Sequence, residues 1–474
     1  MIDDPYSLSE LDRMLPDMYL PYLFVYKLKP PSDRQHIIDS IQRGLDKAVE
    51  QLPMLAAAIL FDDANRPLTQ MQPAGPLKLT VRNFQEGEYL SYDELAQRSF
   101  SPADFDAFRL LPNSLLPPEN PAESARKTCF VQLNFIPGDG IILGFQPNHM
   151  VMDMSSMNLA LTLICGCTKA CMEDSAVPQQ EFCYDRQPFV APAEMTAQSR
   201  EQILAANKGS PGFIVIDAAV SSGAASVNAK DQQAARAPES FTPPPSPTLK
   251  TMLYRITAPD AERLKASCKP LAGVGYVSTY DCMAAVVFRA LARTRTTLKP
   301  SLKSEGWSYN HPVDLRRRRL PVVSKNYIGN AAVLTPTELL SVDDILAPDG
   351  LSFTASSVRR SIDCVDHLTT LRTLTAVNAK LGPTETAKSS PVGLPETLFG
   401  MTNWSSVDIP RLDFGIGPPK IMRVPVVPVP NFGVLFPAAE AYDMHLCLTQ
   451  QEQDLLSKYV LSLAMVRKAK LILF

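Results

Sequence analysis

The residues of this chain best suited to chemistry are a histidine and an aspartate four positions apart, His149 and Asp153. An imidazole is a natural general base for an alcohol near neutral pH, because its unperturbed pKa lies close by. Asp153 could orient the imidazole, cap the helix that follows or pair with an arginine elsewhere, and we favour the last two, structural roles. Taken alone, a histidine at this spacing is more often a core or loop residue, so its surroundings decide.

Those surroundings place His149 at the junction of a strand and a helix. Residues 129–135 and 141–146 are largely apolar, and they flank the turn sequence Pro-Gly-Asp-Gly at 137–140, which predicts a hairpin. The second strand leads directly to His149, and a helix is predicted from Met154 onward. Because backbone ends open into a site at such junctions, the position favours a functional histidine.

A second signal lies near the end of the chain, at residues 413–417. This segment reads Asp-Phe-Gly-Ile-Gly, and its two glycines, Gly415 and Gly417, are typical of a turn. Neither this segment nor the spacing of His149 and Asp153 is specific alone. Their order along the chain, their separation and their surroundings make them informative together.

Length and composition predict two domains. With 474 residues, the chain exceeds the ~250–300 residues at which a single core stops growing. Small residues followed by a proline run occupy residues 217–248, a composition typical of a linker. We therefore predict an N-terminal domain at 1–216, a crossover linker at 217–248 and a C-terminal domain at 249–474. The net charge of −3 gives no electrostatic case for nucleic acid or an anionic membrane.

Strand and helix patterns alternate in both halves, which predicts layered α/β or α+β domains, each with a mixed sheet flanked by helices. Within residues 37–49, apolar side chains recur at helical spacing, and Ser278 with Asp281 forms a capping signal before another helix. The predicted strands cover residues 20–28, 53–60, 249–256, 308–312, 331–334 and 398–404, and the predicted helices cover 37–49, 278–291 and part of 354–381.

The cysteines and the first residues predict a cytosolic protein. The start of the chain is acidic, whereas a signal peptide begins with a basic segment followed by an apolar one. No apolar run approaches the ~20 residues that are needed to span a bilayer. The nine cysteines lack framework spacing, which fits reduced thiols. Four of them are close in sequence: Cys165, Cys167, Cys171 and Cys183. A zinc site and buried thiols on one helix face are the alternatives, and we favour the thiols because no histidine lies nearby.

Together these motifs resemble the BAHD-type acyl-CoA-dependent acyltransferases, and more closely the fungal members related to trichothecene 3-O-acetyltransferase. His149 and Asp153 match the family's His-x-x-x-Asp, and residues 413–417 match its Asp-Phe-Gly-Trp-Gly. The resemblance covers essentially the whole chain apart from the predicted linker. Secondary matches lie at residues 278–281 with 288–289, at 313–316 with 327–330, at 402–404 and at 434–437.

The resemblance implies two domains of chloramphenicol-acetyltransferase-like topology, with acyl-CoA and the acceptor entering an interfacial channel from opposite faces. His149 would deprotonate the acceptor hydroxyl for direct attack on the thioester in a ternary complex. Asp153 would pair with an arginine, for which we choose Arg289. The residues implied to be structural are Asp413, Gly415 and Gly417, and those implied to border the channel and stabilise the oxyanion are Thr402, Asn403 and Trp404.

Residues 316–319 are four consecutive arginines. Arg316, together with Ser278, is our candidate for a contact with the phosphates of CoA, which need cations or helix N-termini. A solvated charge run is the commoner explanation for such a sequence, and we favour it over the phosphate contact. Acyl-CoA is expected as a co-substrate, with no bound cofactor and no metal, and the resemblance suggests a monomer.

Three residues depart from the family pattern. Asn148 replaces the second histidine of the superfamily's His-His form, Met154 stands where a glycine is usual, and Ile416 replaces the tryptophan of the distal motif. We predict an O-acyltransferase that acts on a hydroxyl of a fungal secondary metabolite, with acetyl-CoA as donor. Its rivals are a catalytically degenerate relative that binds CoA or a metabolite, and a condensation-type enzyme that uses a carrier-protein thioester.

Overall fold

The computed structural model describes residues 4–62, 66–113, 125–206, 214–217, 249–318, 323–364, 375–377, 380, 382, 385–388, 396–425, 431–465 and 471–473. Apart from Asp217, the predicted linker at 217–248 lies outside the described residues, so the predicted domain boundaries stay a prediction. The later part of the helix predicted within 354–381 lies mostly outside them as well.

Helices and strands alternate in both halves, as the sequence patterns predict. The N-terminal half contains α1 (Glu10–Met14), β1 (Tyr22–Lys27), α2 (Arg34–Gln51), β2 (Ala57–Leu60), β3 (Gln72–Pro73), β4 (Leu79–Asn83), α3 (Tyr92–Gln97), α4 (Ala107–Leu110), β5 (Ala125–Lys127), β6 (Cys129–Ile136), β7 (Gly140–Pro147), α5 (Met154–Met172), α6 (Ala193–Thr196), α7 (Arg200–Ala206) and β8 (Ile214–Asp217). The C-terminal half contains β9 (Leu249–Thr257), α8 (Ala258–Ser267), α9 (Thr279–Leu298), β10 (Ser308–Asp314), β11 (Ala332–Pro336), α10 (Val342–Leu346), α11 (Gly350–Cys364), β12 (Glu385–Lys388), β13 (Leu398–Asn403), β14 (Ile421–Arg423), β15 (Phe432–Ala438), β16 (Ala441–Thr449), α12 (Gln450–Met465) and β17 (Leu471–Leu473).

The first large sheet has the strand order β14–β1–β7–β6–β4. The predicted hairpin is confirmed, because β6 and β7 pair antiparallel from Cys129 opposite Pro147 onward. β1 pairs antiparallel with β7, and β14 completes the sheet by pairing with β1, where Leu23 lies opposite Arg423. Since β14 belongs to the C-terminal half of the sequence, this sheet is not built from N-terminal residues alone.

Two long helices, α2 and α5, pack on each other over this sheet. The apolar stripe predicted for α2 is buried: Ile37, Ile41, Leu45 and Ala48. The helices approach closely at Gly44, where an added Cβ would lie 2.6 Å from the Cα of Thr168 on α5. Glycine is required at this point because any side chain would push the two helix backbones apart.

The second large sheet has the strand order β11–β10–β13–β15–β16–β9–β17 and mixes parallel and antiparallel pairs. The strands predicted at 308–312, 331–334 and 398–404 correspond to β10, β11 and β13. α9 begins at a capping box of Ser278 and Asp281, as predicted, and its Phe288 packs against Trp307 and Tyr309. The predicted fold class, mixed sheets flanked by helices, is confirmed.

A buried ion-pair network joins the two sheets. Arg423 of β14 lies 2.9 Å from Asp443 of β16, and both side chains are fully buried. Arg255 of β9 donates two further hydrogen bonds to the Asp443 carboxylate, at 2.6 and 2.8 Å. Burial lowers the pKa of Arg423 to about 10 although Asp443 opposes the shift. The network holds β14 beside β16, because separating the two strands would leave buried charges without their partners, which is strongly destabilising.

We expect the variant Gly44→Ala to lower the free energy of unfolding by about 1–3 kcal/mol, because its Cβ overlaps the Thr168 backbone. Denaturant titration of the purified variant measures the loss. The matched control is Gly166→Ala on α5, where the added Cβ meets only the Pro178 side chain at 3.0 Å and helix propensity improves. Equal stability of the two variants would show that the α2–α5 contact tolerates a side chain.

Candidate active site

His149 lies immediately after β7, and its main chain is held from two directions. Its N–H donates to the carbonyl of Met18 at 2.8 Å, and its own carbonyl accepts from Asn330 Nδ2 at 3.0 Å. The residue is half-buried, whereas its Nδ1 is fully buried and lacks a hydrogen-bond partner among the described residues. Burial lowers the pKa of His149 below its ordinary value, with Asp153 and neighbouring main-chain groups opposing the shift only in part. The imidazole is therefore neutral, and able to accept a proton, at neutral pH.

Asp153 is the N-cap of α5 and also joins the two halves of the chain. Its Oδ1 accepts from the N–H of Ser156 at 3.0 Å, and its Oδ2 accepts from the N–H of Ala331 at 2.8 Å. The Arg316 guanidinium binds both oxygens, Nη1 to Oδ2 at 2.8 Å and Nη2 to Oδ1 at 3.1 Å. Asp153 therefore makes both of the favoured structural contacts, capping a helix and pairing with an arginine, and its support of the His149 loop stays a prediction.

The arginine that pairs with Asp153 is Arg316, which was not predicted for this role from the sequence. Its side chain is 3% exposed, and it also donates to Ser156 Oγ at 2.9 Å, to the Gly329 carbonyl at 2.9 Å and to Asp314 Oδ1 at 3.1 Å. These contacts contradict the predicted contact of Arg316 with CoA phosphates, because the guanidinium is enclosed and its donors are already used.

Arg289 does not pair with Asp153, so that predicted pair is wrong. Its guanidinium instead donates to the carbonyls of Ile345 and Ala347, the latter at 3.1 Å, where α10 ends. Cations are favoured at helix C-termini, which explains this position. Arg289 thus contacts the end of α10 and has no hydrogen bond to Asp153 among the described contacts.

The charges of the Asp153–Arg316 pair stabilise each other. Burial alone would raise the pKa of Asp153, but the guanidinium and the two main-chain N–H groups outweigh it and leave the pKa lowered. Burial likewise opposes the charge of Arg316, and the carboxylates of Asp153 and Asp314 outweigh it, so the pKa of Arg316 is raised. Both groups are therefore ionised across the physiological pH range.

Trp404 packs between aromatic rings from both halves of the chain. Its ring centroid lies 5.1 Å from that of Tyr22 and 5.2 Å from that of Phe436. Burial raises the pKa of Tyr22, and the negative charge of Asp153 adds to that shift. The predicted role of Trp404 in stabilising an oxyanion stays a prediction.

The two residues before Trp404 differ in their surroundings. The carbonyl oxygen of the Asn403 side chain accepts from the N–H and the hydroxyl of Ser405, at 3.0 and 2.6 Å, which stabilises the bend after β13. Thr402 is half-buried within β13. Their predicted places at the channel stay predictions.

Asp413 stabilises the glycine turn, as predicted. Its Oδ1 accepts from the N–H groups of Gly415 and Gly417, at 2.9 and 2.8 Å, and its Oδ2 accepts from Lys169 on α5 at 2.9 Å. The φ angles are +100° at Gly415 and +96° at Gly417, a region that favours glycine. Because Lys169 lies near the end of α5 opposite to Asp153, the turn is structural and remote from His149.

A cleft of about 990 Å³ lies beside this turn. Its walls include Leu28, Ile37, Met172 and Ile416, and neither His149 nor Asp153 lines it. The cleft begins where β1 and α5 end, whereas His149 adjoins the start of both elements. It is therefore separate from the histidine site.

Ser278, the second candidate for a CoA contact, serves as the N-cap of α9. Its hydroxyl oxygen accepts from the N–H of Asp281 at 3.2 Å and from Arg359 Nη2 at 3.1 Å. Arg359 also pairs with the Asp281 carboxylate. These contacts give Ser278 a structural role at the start of α9, and its contact with CoA stays a prediction.

The favoured interpretation of buried thiols on one helix face applies to only two of the four clustered cysteines. Cys165 and Cys167 are buried in the N-terminal core, while Cys171 and Cys183 are half-buried. Burial raises the pKa of Cys167 to about 11, so its thiol is protonated at neutral pH. In the part of the chain that the structure describes, no group of three or more histidine, cysteine or acidic side chains is arranged to hold a metal ion.

Of the residues that depart from the family pattern, Asn148 has a clear structural explanation. Its Nδ2 donates to Asp17 Oδ1 at 2.7 Å, and its Oδ1 accepts from the N–H of Met150 at 2.9 Å. Met154 and Ile416 are half-buried and pack against the N-terminal core. None of these contacts removes the base or its main-chain supports.

The His149 loop is also supported by Asn330, which is bound in turn by Asp12. This pair was not predicted from the sequence. Asn330 N and Nδ2 both donate to Asp12 Oδ1, at 2.7 and 2.9 Å. Asn330 ends one of the family-like segments, which is a signal for its importance. Asp12 carries only a local capping signal with Ser9, and its distant partner is invisible in sequence.

Comparison with known proteins identifies the class. The Transferase family model matches residues 113–458, and the model of the trichothecene 3-O-acetyltransferase-like N-terminal domain matches residues 18–171. Since the first match spans most of the chain, the protein belongs to the Transferase family. The predicted enzyme class, an acyltransferase that transfers an acyl group to a hydroxyl, is confirmed.

The similarity extends over nearly the full length of individual relatives. The trichothecene 3-O-acetyltransferase of Saccharomyces cerevisiae is 23% identical over 453 residues, covering 92% of this chain and 89% of the relative. The O-acetyltransferase dmxR13 of Cryptosporiopsis sp. is 22% identical, covering 92% and 91%. The crystal structure of F. graminearum TRI101 complexed with coenzyme A and T-2 mycotoxin matches with a TM-score of 0.77 at 19% identity, covering 98% and 99%. The resemblance stated from the motifs is confirmed.

We expect Arg316→Ala to lower the free energy of unfolding by about 3–5 kcal/mol, because it leaves the Asp153 carboxylate buried without its cation. The loss should shrink at low pH. The pKa of Asp153 is lowered on folding, so the stability it contributes is present above its unfolded pKa, near 3.9, and is lost as pH falls through the lower folded value.

Chemical denaturation at pH 7 and at several values below pH 4 measures both effects. The control is Arg317→Ala, which removes the neighbouring, exposed arginine and should change stability by about 0.5 kcal/mol at most. A similar small loss in both variants would show that the buried pair contributes little.

Proposed function

We propose that this protein transfers an acetyl group from acetyl-CoA to a hydroxyl of a secondary metabolite, with His149 as the general base. The observation that carries the proposal is the half-buried imidazole at the β7–α5 junction, whose pKa is lowered by burial. The names of several relatives support the acetyl group and the hydroxyl acceptor, because the S. cerevisiae and Cryptosporiopsis proteins are O-acetyltransferases.

In the proposed reaction, His149 acts through Nε2, since Nδ1 is buried. The neutral imidazole takes the proton of the acceptor hydroxyl while the oxygen attacks the thioester carbonyl. The tetrahedral intermediate then collapses, the carbon–sulfur bond breaks and the imidazolium returns the proton to the CoA thiolate. Atoms and charge balance in this direct transfer, which takes place within a ternary complex of enzyme, acyl donor and acceptor.

Asp153 supports the base without exchanging protons with it. Both carboxylate oxygens are already bound by Arg316 and by the main-chain N–H groups of Ser156 and Ala331. A carboxylate held in this way cannot turn toward the imidazole. Its contribution is to fix the start of α5, and with it the loop that carries His149.

We also propose that the protein is a cytosolic monomer. Buried, unoxidised thiols support a reducing compartment. Within the described segments, no helix has the length and apolar character needed to cross a membrane. Size-exclusion chromatography with light scattering tests the monomer, and fractionation of the source cells tests the compartment.

We expect His149→Ala to lower kcat by about 10²- to 10⁴-fold, the usual contribution of a general base. Purified protein, isotope-labelled acetyl-CoA and a deacylated metabolite extract are incubated together, and the label is followed by mass spectrometry. The control, His36→Ala, removes an exposed histidine on α2 and should transfer label at the wild-type rate. Undiminished transfer by His149→Ala would exclude the mechanism.

The donor is tested in the same assay. Longer acyl-CoAs replace acetyl-CoA in one arm, and an acyl carrier-protein thioester replaces it in another. Transfer only from the carrier protein would favour the condensation-type rival, and CoA binding without transfer from any donor would favour a degenerate binder.

The pH dependence should follow the lowered pKa of His149. The base form is the active one, so kcat/KM should fall as pH drops through that pKa, and the acid limb should lie below pH 6.5. Rates measured from pH 5 to pH 8 check this expectation. An acid limb above pH 6.5 would show that His149 is more solvated than the structure indicates.

A further inference from the structure

The main-chain carbonyl of His149 is bound by a side chain from the opposite half of the chain. Asn330 Nδ2 donates one of its two hydrogens to this carbonyl at 3.0 Å and the other to Asp12 Oδ1 at 2.9 Å. The main-chain N–H of Asn330 donates to the same Asp12 oxygen at 2.7 Å. The base is therefore linked through one amide to a buried aspartate near the N-terminus.

The orientation of the Asn330 amide is fixed by its neighbours. Both atoms facing Nδ2 are acceptors, so a flipped amide would set its oxygen against a carboxylate and a carbonyl. Its Oδ1 is buried and has no partner among the described residues, which shows that the donor side alone determines the orientation. The main-chain N–H and the side-chain Nδ2 of Asn330 both bind Asp12 Oδ1, which fixes the amide in place. The second hydrogen of Nδ2 therefore points at the His149 carbonyl.

Asp12 is itself held firmly. It is fully buried, and its Oδ2 accepts from the N–H and the hydroxyl of Ser9, each at 2.7 Å, in the capping box of α1. The neighbouring Leu11 and Met14 pack into a hydrophobic cluster with Leu315 and Tyr327 of the C-terminal half. The carboxyl group of Asp12 is thus an acceptor held in one position.

The same N-terminal segment holds the other side of the His149 loop. The Met18 carbonyl accepts from the N–H of His149, and the Asp17 carboxylate accepts from Asn148. The N–H of Leu20 donates to the carbonyl of Pro147 at 2.9 Å. The loop therefore has its N–H side fixed by residues 17–20 and its carbonyl side fixed by Asn330.

We propose that Asp12 and Asn330 are positioning residues that fix the His149 carbonyl, and through it the ring, across the junction of the two halves. The inference rests on the proposed role of His149 as the base. Neither residue touches the reacting atoms. A displacement of the ring by about 1 Å can lower a rate by ~10²-fold, so the geometry of a single hydrogen bond can matter to turnover.

The test compares Asn330→Ala with Asn330→Ser. Serine can donate its one proton to Asp12 and so retains part of the buried network, but it cannot also bind the His149 carbonyl. We expect both variants to lower kcat by about 10- to 100-fold with KM for acetyl-CoA nearly unchanged. The acid limb of kcat/KM should move to higher pH, because a freed loop exposes the imidazole to solvent and relaxes its lowered pKa.

The matched control is Ser91→Ala, which breaks the equivalent capping box of Ser91 and Glu94 at the start of α3. Neither residue contacts Asp12, Asn330 or His149, so the variant should lower the melting temperature and leave kcat and the pH profile at wild-type values. Unchanged kcat and pH profile in Asn330→Ser, with only a lower melting temperature, would overturn the inference. His149→Ala is measured in parallel: if it stays active, the proposed function fails, whereas an inactive His149→Ala beside a fully active Asn330→Ser defeats the positioning role alone.

Discussion

The buried ion pair between Asp153 and Arg316 is the interaction on which the candidate active site depends. Burying two charges costs free energy because both lose their hydration. The bidentate hydrogen bonds between Arg316 and Asp153, and the main-chain N–H groups around the carboxylate, offset this cost. Asp153 caps the helix that follows the histidine, while Arg316 lies in the short turn directly after strand β10 of the other sheet. One interaction thereby fixes the start of α5, the His149 loop and the second half of the chain together.

The two halves depend on each other at more than this point. Strand β14 leaves the C-terminal half to complete the first sheet, and Arg423 within it is tied back to Asp443 in the second sheet. Asp12 reaches Asn330 in the opposite direction. Each of these contacts buries charge, and each fails if its partner is absent. The histidine site is therefore a product of the joined halves, and the division of the sequence into two domains understates how far they share structure.

The distal motif shows how a sequence signal can be strong without being catalytic. Asp413 uses its carboxylate to close the glycine turn and to bind Lys169 at the far end of α5. Since Ile416 only packs against the core, its difference from the family's tryptophan changes packing rather than chemistry. A motif can thus define the family through the fold it stabilises, while the reaction depends on residues elsewhere.

The sequence determined what local periodicity and local chemistry control. The β6–β7 hairpin, the stripe of α2, the capping boxes and the turn at Asp413 all follow from side chains a few residues apart, and each was predictable. His149 was predictable for the same reason, since its position follows from the hairpin before it and the helix after it.

Only the tertiary structure decided which distant residues support that histidine. Arg289 and Arg316 carry the same charge, and nothing local in the sequence shows which of them binds Asp153. Arg289 lies on α9 and faces the end of α10. Arg316 follows β10 and binds Asp153, 163 residues away. Asp12 and Asn330 lie 318 residues apart and meet because α1 packs on the C-terminal half. Pairing across such separations depends on how sheets and helices pack, and side-chain spacing along the chain carries no record of it.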